Sequence, residues 1–218
     1  MPTIKRFLPL FLLLAGAIVV TVVFFLARGG ATEEKVSQRE EEEVLEIPIE
    51  KRPVASLTPS KDGHWLKLSV EGLKKSSPYS LDYELLYELP DGRTQGIPGT
   101  VIIGEEDSLE RNLLLGSESS GKFRYDEGVE KGTLTLRFRN EKGKLIGKLS
   151  TGFHLQVGEK ELTSVDGKFK FVLAKVPKGV YFVTMETFGL EEIVGAAVRS
   201  DSYAIFSSSE AEVSGKVE

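Results

Sequence analysis

The residues best suited to chemistry lie in one segment rich in glycine and serine, Leu113–Gly132. Within it Tyr125, Asp126 and Glu127 follow one another directly. An aromatic ring beside two carboxylates can contact a cation or a basic partner, so these residues predict a binding loop. The alternative is a long connection whose glycines serve backbone geometry and whose acids face solvent. The Asp-x-Asp-x-Asp-Gly pattern of a calcium loop does not occur in the sequence.

Trp65 is the second candidate for a contact residue. It alternates with the apolar Leu66 and Leu68, so its side chain is predicted to point away from the core. An outward tryptophan marks an interface or a platform for a sugar ring, unless a neighbouring loop covers it. His64 and His154, the two histidines, are predicted to be surface or edge residues rather than general bases.

Composition excludes several classes of site. The chain has no cysteine, which rules out a disulfide framework, a zinc–thiolate site and a thiol nucleophile. We therefore predict no cofactor, no metal and no catalytic residue. The 28 basic and 33 acidic side chains form no basic stripe, so nucleic acid is not expected as a partner. Two carboxylates could still converge in space as a hydrolase pair, but the sequence nominates none.

The elements that must position these residues are β-strands. Apolar and polar residues alternate with a period of two from Val54 onward, most clearly in Ser80–Leu89. We predict an all-β fold over residues 54–208, an antiparallel β-sandwich of immunoglobulin-like or related type with about ten or eleven strands. A division into two small β-domains near Val157–Lys160 is the alternative. Residues 209–218 are predicted to be a polar, flexible tail.

The N-terminal part has a different character. Residues 7–27 form a run of 21 uncharged residues after Lys5 and Arg6, long enough to span roughly 31 Å as a helix. This predicts a transmembrane signal-anchor, with residues 1–6 in the cytoplasm and the C-terminal domain outside. Cleavage near Ala31, which would release a secreted protein, is the alternative. Residues 28–53 are rich in glutamate and predict an acidic stalk or linker.

Four short segments have distinctive sequences: Leu113–Gly116, Ser119–Gly121, Tyr125–Val129 and Gly132–Arg139. In these segments the chain resembles a family of membrane-anchored bacterial proteins without a known activity. Similar sequences have cysteines on either side of the Ser-Ser-Gly, whereas this chain has Glu118 and Phe123 there, so no disulfide can close this loop. The resemblance implies a bacterial origin and a place in the cell envelope, and it adds no site residue.

Together these observations predict a single-pass membrane protein with an extracytoplasmic domain. We expect a non-enzymatic binding or scaffolding module of the bacterial cell envelope. Its expected partners are the lipid bilayer, through residues 7–27, and an envelope protein or glycan. Two alternatives stay open: an envelope glycan or peptide hydrolase with unidentified carboxylates, and an accessory subunit of a membrane complex.

Overall fold

The computed structural model of the protein describes residues 47–189 and 195–218. The predicted N-terminal segment 1–6, the membrane helix 7–27 and the cleavage position near Ala31 lie outside the described residues, as does most of the acidic segment 28–53. Within the described part of the chain, no helix has the length and apolar character needed to cross a membrane.

The described residues fold almost entirely into β-strands. Two short 3-10 helices, Ile49–Lys51 and Leu73–Lys75, are the other regular elements among them. The strands are β1 (Val54–Pro59), β2 (Trp65–Glu71), β3 (Ser80–Glu88), β4 (Thr94–Ile102), β5 (Ser108–Leu114), β6 (Gly116–Ser119), β7 (Lys122–Tyr125), β8 (Lys131–Arg139), β9 (Leu145–Val157), β10 (Glu161–Thr163), β11 (Lys170–Leu173), β12 (Tyr181–Glu186), β13 (Ala196–Ser200), β14 (Tyr203–Ser207) and β15 (Gly215–Val217).

The strands pair into antiparallel sheets. The largest sheet has seven strands in the order β13-β14-β12-β9-β8-β3-β4, and a second sheet has three in the order β1-β2-β5. A small sheet, β10-β11-β15, and the separate hairpin β6-β7 complete the set. Every pair that the structure describes is antiparallel, so the prediction of an all-β antiparallel fold is confirmed.

The main core lies between the three-stranded and the seven-stranded sheets. Successive side chains of a strand point to opposite faces, which is why the alternating apolar residues of β3 share one side. Leu81 and Leu85 of β3 are fully buried in the same cluster as Leu57, Leu66 and Leu68 of β1 and β2. This two-layer, sandwich-like arrangement leaves the ends of the strands free to carry loops.

A second, smaller core covers the opposite face of the large sheet. Leu162 and Phe171 of the small sheet pack there against Phe182 of β12 and Ile205 of β14. Val183 of β12 belongs instead to the main core. The segment Val180–Phe188 is apolar on both faces, which predicts a central strand covered on both sides, and β12 is such a strand.

Each outer strand of the seven-stranded sheet has one feature that disturbs a regular edge. Strand β4 contains Pro98, which lies opposite Glu84 of β3. Strand β13 pairs with β14 through a register shift between Ala196 and Val198.

Three details of the predicted organisation need correction. The described residues contain fifteen strands rather than about ten or eleven, because four of the short strands, β6, β7, β10 and β15, have too few residues to show alternation. The predicted flexible tail, residues 209–218, instead contains β15, which pairs with β11. The folded body also begins before residue 54, since Ile47 is buried in the main core.

The described residues belong to one compact unit, without a division near Val157–Lys160.

Candidate functional site

The segment predicted as a binding loop is built as a tight hairpin. Ser119 of β6 pairs with Lys122 of β7, which leaves the two-residue turn Ser120-Gly121. Both turn residues have positive φ, 51° at Ser120 and 74° at Gly121. Two consecutive positive φ angles define a type I′ turn, whose twist matches that of the strands it joins. The Ser-Gly pair is therefore the local reason for the hairpin.

The two faces of this hairpin differ in chemistry. Alternation along β7 places Phe123 and Tyr125 on one face and Lys122 and Arg124 on the other. Glu118, opposite Phe123 on β6, shares the aromatic face. Phe123 is 45% exposed and Tyr125 is 38% exposed. The hairpin thus presents two large rings that are not sequestered in a core.

The two rings lie between those of His64, which precedes β2, and Trp65, the first residue of β2. We call the row of four rings the aromatic strip: His64, Tyr125, Phe123 and Trp65. Tyr125 stacks on His64 with 4.2 Å between ring centroids and 12° between planes. Phe123 lies nearly parallel to Tyr125 at 6.3 Å and meets Trp65 edge to face at 5.6 Å. Such pairs are attractive beyond their buried area, so the rings hold one another in place.

Backbone hydrogen bonds fix the hairpin against β2. The buried Leu115 donates its N–H to the His64 carbonyl at 2.8 Å and accepts the Asp126 N–H at 3.0 Å. Leu115 thereby ties the start of β2 to the end of β7. The position of the aromatic strip is therefore fixed by backbone hydrogen bonds as well as by contacts between the rings.

A cleft of about 420 Å³ opens at the His64 end of the strip. Five carboxylates and both histidines line this acidic cleft, and the described lining residues include no lysine or arginine. The charged and imidazole side chains are Asp62, His64, Asp126, Glu127, Glu130, His154 and Glu159. They come from the β1–β2 turn, the β7–β8 loop and the end of β9, so the fold collects them from distant parts of the sequence.

Asp126 is held in the cleft wall by a buried tyrosine. The hydroxyl of Tyr87, a residue that is 2% exposed, donates to Asp126 Oδ2 at 2.8 Å. Burial raises the pKa of the Tyr87 phenol, and the Asp126 carboxylate adds to that rise. Tyr87 therefore stays protonated and remains a donor at any physiological pH.

The other walls of the cleft are also fixed by hydrogen bonds. Asp62 accepts the Ser60 hydroxyl and the His64 backbone N–H, and the Ser60 bond in particular lowers the pKa of the Asp62 carboxyl. His154 Nδ1 lies 2.9 Å from the Thr163 carbonyl oxygen. Because a carbonyl can only accept, His154 Nδ1 carries a proton and donates it to this hydrogen bond. The imidazole orientation is thus set by β10.

The ring of Tyr181 forms one side of the cleft and packs closely on Gly63. Gly63 has a φ of 74° and its Cα lies directly under the Tyr181 ring, so that an added Cβ would overlap this ring. Only glycine combines this left-handed backbone with so close an approach.

The structure places all four predicted contact residues in the strip or in the cleft beside it. Trp65 and Tyr125 belong to the aromatic strip, while Asp126 and Glu127 line the cleft beside it. Trp65 lies on the outer face of β2, as its alternation indicates, and is half-buried because Phe123 covers part of it.

Sequence reasoning missed Phe123 and both histidines as parts of one site. The Ser120-Gly121 turn signal predicts a hairpin that contains Phe123, but the four residues of β7 are too few for alternation to show which way its ring faces. No comparable signal exists for His64 and His154, because their meeting depends on which strands become neighbours. The expectation that they are only surface or edge residues did not foresee that both line the acidic cleft.

Among residues 47–189 and 195–218, no group of three or more His, Asp or Glu side chains is arranged to hold a metal ion. The aromatic strip and the acidic cleft together offer partly exposed rings beside negatively charged hydrogen-bond acceptors.

Comparison with known proteins adds no assignment for this site. No protein-family model, no curated protein and no solved structure matches the chain.

Proposed function

We propose that the protein is a non-enzymatic binding module of the bacterial cell envelope, anchored in the membrane by residues 7–27 and displayed outside the cell. The proposal includes the finer class of the fold, a β-sandwich of immunoglobulin-like or related type on an acidic stalk. The observation that carries the binding role is the exposed aromatic strip beside the acidic cleft.

Exposure of the strip argues for a contact surface. A large apolar side chain that is left in water lacks the stabilisation of about 1.5–3 kcal/mol that its burial would contribute. Single exposed apolar residues are common, but rings arranged in a row beside a cleft are typical of interaction sites. Here the row rests on a built turn and on two backbone hydrogen bonds, so its geometry does not depend on the ligand. A preorganised surface loses less conformational entropy on binding.

The experiment compares association of the full-length protein, kept in detergent micelles, with sedimented bacterial envelopes. The variant Phe123→Ser/Tyr125→Ser removes both exposed rings of the hairpin, and Tyr79→Ser is the matched control. Tyr79 is 44% exposed and lies outside the strip. We expect the double variant to stay in the supernatant while wild type and Tyr79→Ser sediment with the envelopes. Equal sedimentation of all three proteins would contradict the proposal.

A hydrolase acting at the same place is the second candidate function. The observation that favours it is the convergence of five carboxylates and two histidines in one cleft. Carboxylate pairs catalyse glycoside hydrolysis when one acts as acid and the other as base or nucleophile. Release of soluble fragments from envelopes by wild type, abolished by Glu127→Gln/Glu130→Gln, would favour hydrolysis over binding.

The third alternative, an accessory subunit, rests on the apolar segment 7–27 and not on the cleft. Replacement of this segment by an unrelated apolar helix separates the two roles, because a simple anchor tolerates the exchange. An accessory subunit recognised through its helix would lose its partner.

A further inference from the structure

We propose that the aromatic strip and the acidic cleft form one continuous binding site, and that its ligand is a glycan carrying free amino groups. This inference rests on the proposed function and names the ligand class of that site. Continuity is given by two residues: His64 stacks on Tyr125 and also lines the cleft, and Asp126 follows Tyr125 directly along the chain and lines it too.

The aromatic strip is suited to sugar rings and to cations. The apolar C–H face of a sugar packs on an aromatic ring as other apolar groups do, and the electron-rich face of the ring also attracts an ammonium group. Phe123 and Tyr125 stack on each other at 6.3 Å and both stay substantially exposed, so a bound sugar can contact the open parts of both rings.

The acidic cleft selects for positive charge. Its described lining has five carboxylates and no lysine or arginine. Glu127, Glu130 and Glu159 make no ion pair within the described part of the chain. An ammonium group would form charge-assisted hydrogen bonds with these oxygens and relieve their mutual repulsion, whereas an anionic glycan would be repelled.

Hydrogen-bond chemistry favours a glycan over a cationic peptide. A carboxylate only accepts hydrogen bonds, and sugar hydroxyls and amines can all donate to it. A peptide brings a carbonyl with every N–H, and each carbonyl removed from water needs a donor. The five carboxylates that dominate the cleft supply none, and the Gln156 amide and the His154 Nδ1 already bond the backbone carbonyls of Glu161 and Thr163, which leaves His64 and Tyr181 as side-chain donors. The amine-bearing sugar polymer therefore matches both parts of the site.

A built-in probe makes the test direct. Trp65 is the single tryptophan of the sequence and belongs to the aromatic strip. Its fluorescence in the full-length protein, kept in detergent micelles, is followed during titration with four compounds. They are the β-1,4-linked hexamer of glucosamine, its fully N-acetylated counterpart, an oligogalacturonate and hexalysine.

We expect a saturable change in Trp65 fluorescence with the glucosamine hexamer that weakens as salt is added, since the carboxylates are accessible to screening ions. The N-acetylated hexamer should bind about tenfold more weakly or less, because it has no ammonium group. Oligogalacturonate should give no change. Equal affinity for the two hexamers would overturn the role assigned to the amine, and hexalysine binding as tightly as the glucosamine hexamer would overturn the glycan assignment.

Paired variants test the two parts of the site. Glu127→Gln/Glu130→Gln removes two charges from the cleft, and Glu105→Gln/Glu106→Gln removes two from the exposed β4–β5 loop as a matched control. We expect about tenfold weaker binding of the glucosamine hexamer for the cleft variant and unchanged binding for the control. Phe123→Leu keeps the hairpin apolar while removing a ring, and it too should weaken binding. Equal affinities across wild type and all variants would overturn the proposal.

Failure of this inference can be told apart from failure of the proposed function. If envelopes sediment the protein in a strip-dependent way and no glucosamine oligomer alters Trp65 fluorescence, the ligand class named here is wrong while the binding role stands. If neither occurs, both proposals fall.

Discussion

Gly132 shows how a single missing side chain lets two strands approach. It lies on β8, opposite Tyr87 on β3 and Phe153 on β9. An added Cβ would overlap the Leu86 carbonyl oxygen and lie 2.6 Å from the buried Phe153 ring. Neither group can withdraw, since one is backbone and the other is packed in the main core.

We predict that Gly132→Ala lowers the free energy of unfolding by about 2–3 kcal/mol through overpacking. Gly104→Ala is the matched control, because Gly104 has no neighbour within 4 Å of an added Cβ. Its effect should stay within about 0.5 kcal/mol. Urea denaturation of both variants measures the difference. Similar changes in the two variants would show that the contacts of Gly132 with β3 and Phe153 do not determine the outcome.

At the scale of the elements, the Asp166 carboxylate links the small sheet β10-β11-β15 to the seven-stranded sheet. Asp166, in the β10–β11 turn, accepts the Ser164 hydroxyl and the Tyr203 hydroxyl, each at 2.6 Å. Tyr203 belongs to β14 and also stacks on Phe169. The Ser164 and Tyr203 hydrogen bonds hold the pKa of Asp166 at about 2.

This attachment predicts a dependence of stability on acid. The pKa of Asp166 is lower in the folded state than its ordinary value of 3.8, so the carboxylate stabilises the fold above that value. The contribution is lost as the pH falls through about 2. We expect wild type to melt at a higher temperature than Asp166→Asn above about pH 4, with the gap closing towards about pH 2.

Thermal melting at several pH values measures this gap. Glu105→Gln serves as the control, because Glu105 lies in an exposed loop, and it should follow wild type throughout. A gap between wild type and Asp166→Asn that does not change with pH would contradict the assignment to the Asp166 charge.

The C-terminal strand completes the same small sheet. Strand β15 pairs with β11, and Lys170 forms ion pairs with both Glu161 and Glu218, at 3.2 and 3.1 Å. We predict that ending the chain at Ser214 speeds amide hydrogen exchange in β11 and leaves exchange in β8 unchanged. The loss of global stability should stay below about 2 kcal/mol, because β15 is exposed and short. Unchanged exchange in β11 would mean that β15 contributes no protection.

Sequence patterns locate the long strands well and the short ones poorly. The alternation in residues 80–89 predicts β3 nearly to the residue, because its buried positions recur over nine residues. The hairpin β6-β7 has only four residues in each strand, so alternation carries little information there. The order of strands within a sheet depends on contacts between distant residues, which a local pattern does not contain.

The difference between local patterns and contacts of distant residues also determines how much of the site could be predicted. Tyr125, Asp126, Glu127 and Trp65 are recognisable because their types and local spacing suggest contact chemistry. That Trp65 meets Phe123 follows from the fold of the hairpin onto β2 and not from any spacing. The acidic cleft likewise exists only because the β1–β2 turn, the β7–β8 loop and the end of β9 reach the same place.

At the scale of the whole molecule, the proposed location is open to a direct test. We predict that external protease removes the C-terminal domain from spheroplasts of cells expressing the full-length protein with a C-terminal tag. A chain that keeps its anchor should run at 24 kDa plus the mass of the tag before treatment. A product about 3 kDa shorter would indicate cleavage near Ala31 and a secreted protein.

A cytoplasmic protein in the same cells serves as the control for intact membranes. Protection of the tagged domain in spheroplasts, with digestion after detergent is added, would place the domain inside. That result would contradict the envelope location on which the proposed function depends.

The outer strands of the large sheet affect how copies of the protein behave when they are concentrated. An unpaired strand edge offers a template on which another chain can form hydrogen bonds and begin to aggregate. Here β4 carries Pro98, which has no N–H to donate, and β13 departs from regular register between Ala196 and Val198. A strand added by a second copy would find an interrupted ladder at either edge. The large sheet is therefore a poor template for strand addition by a second copy, even at high protein concentration.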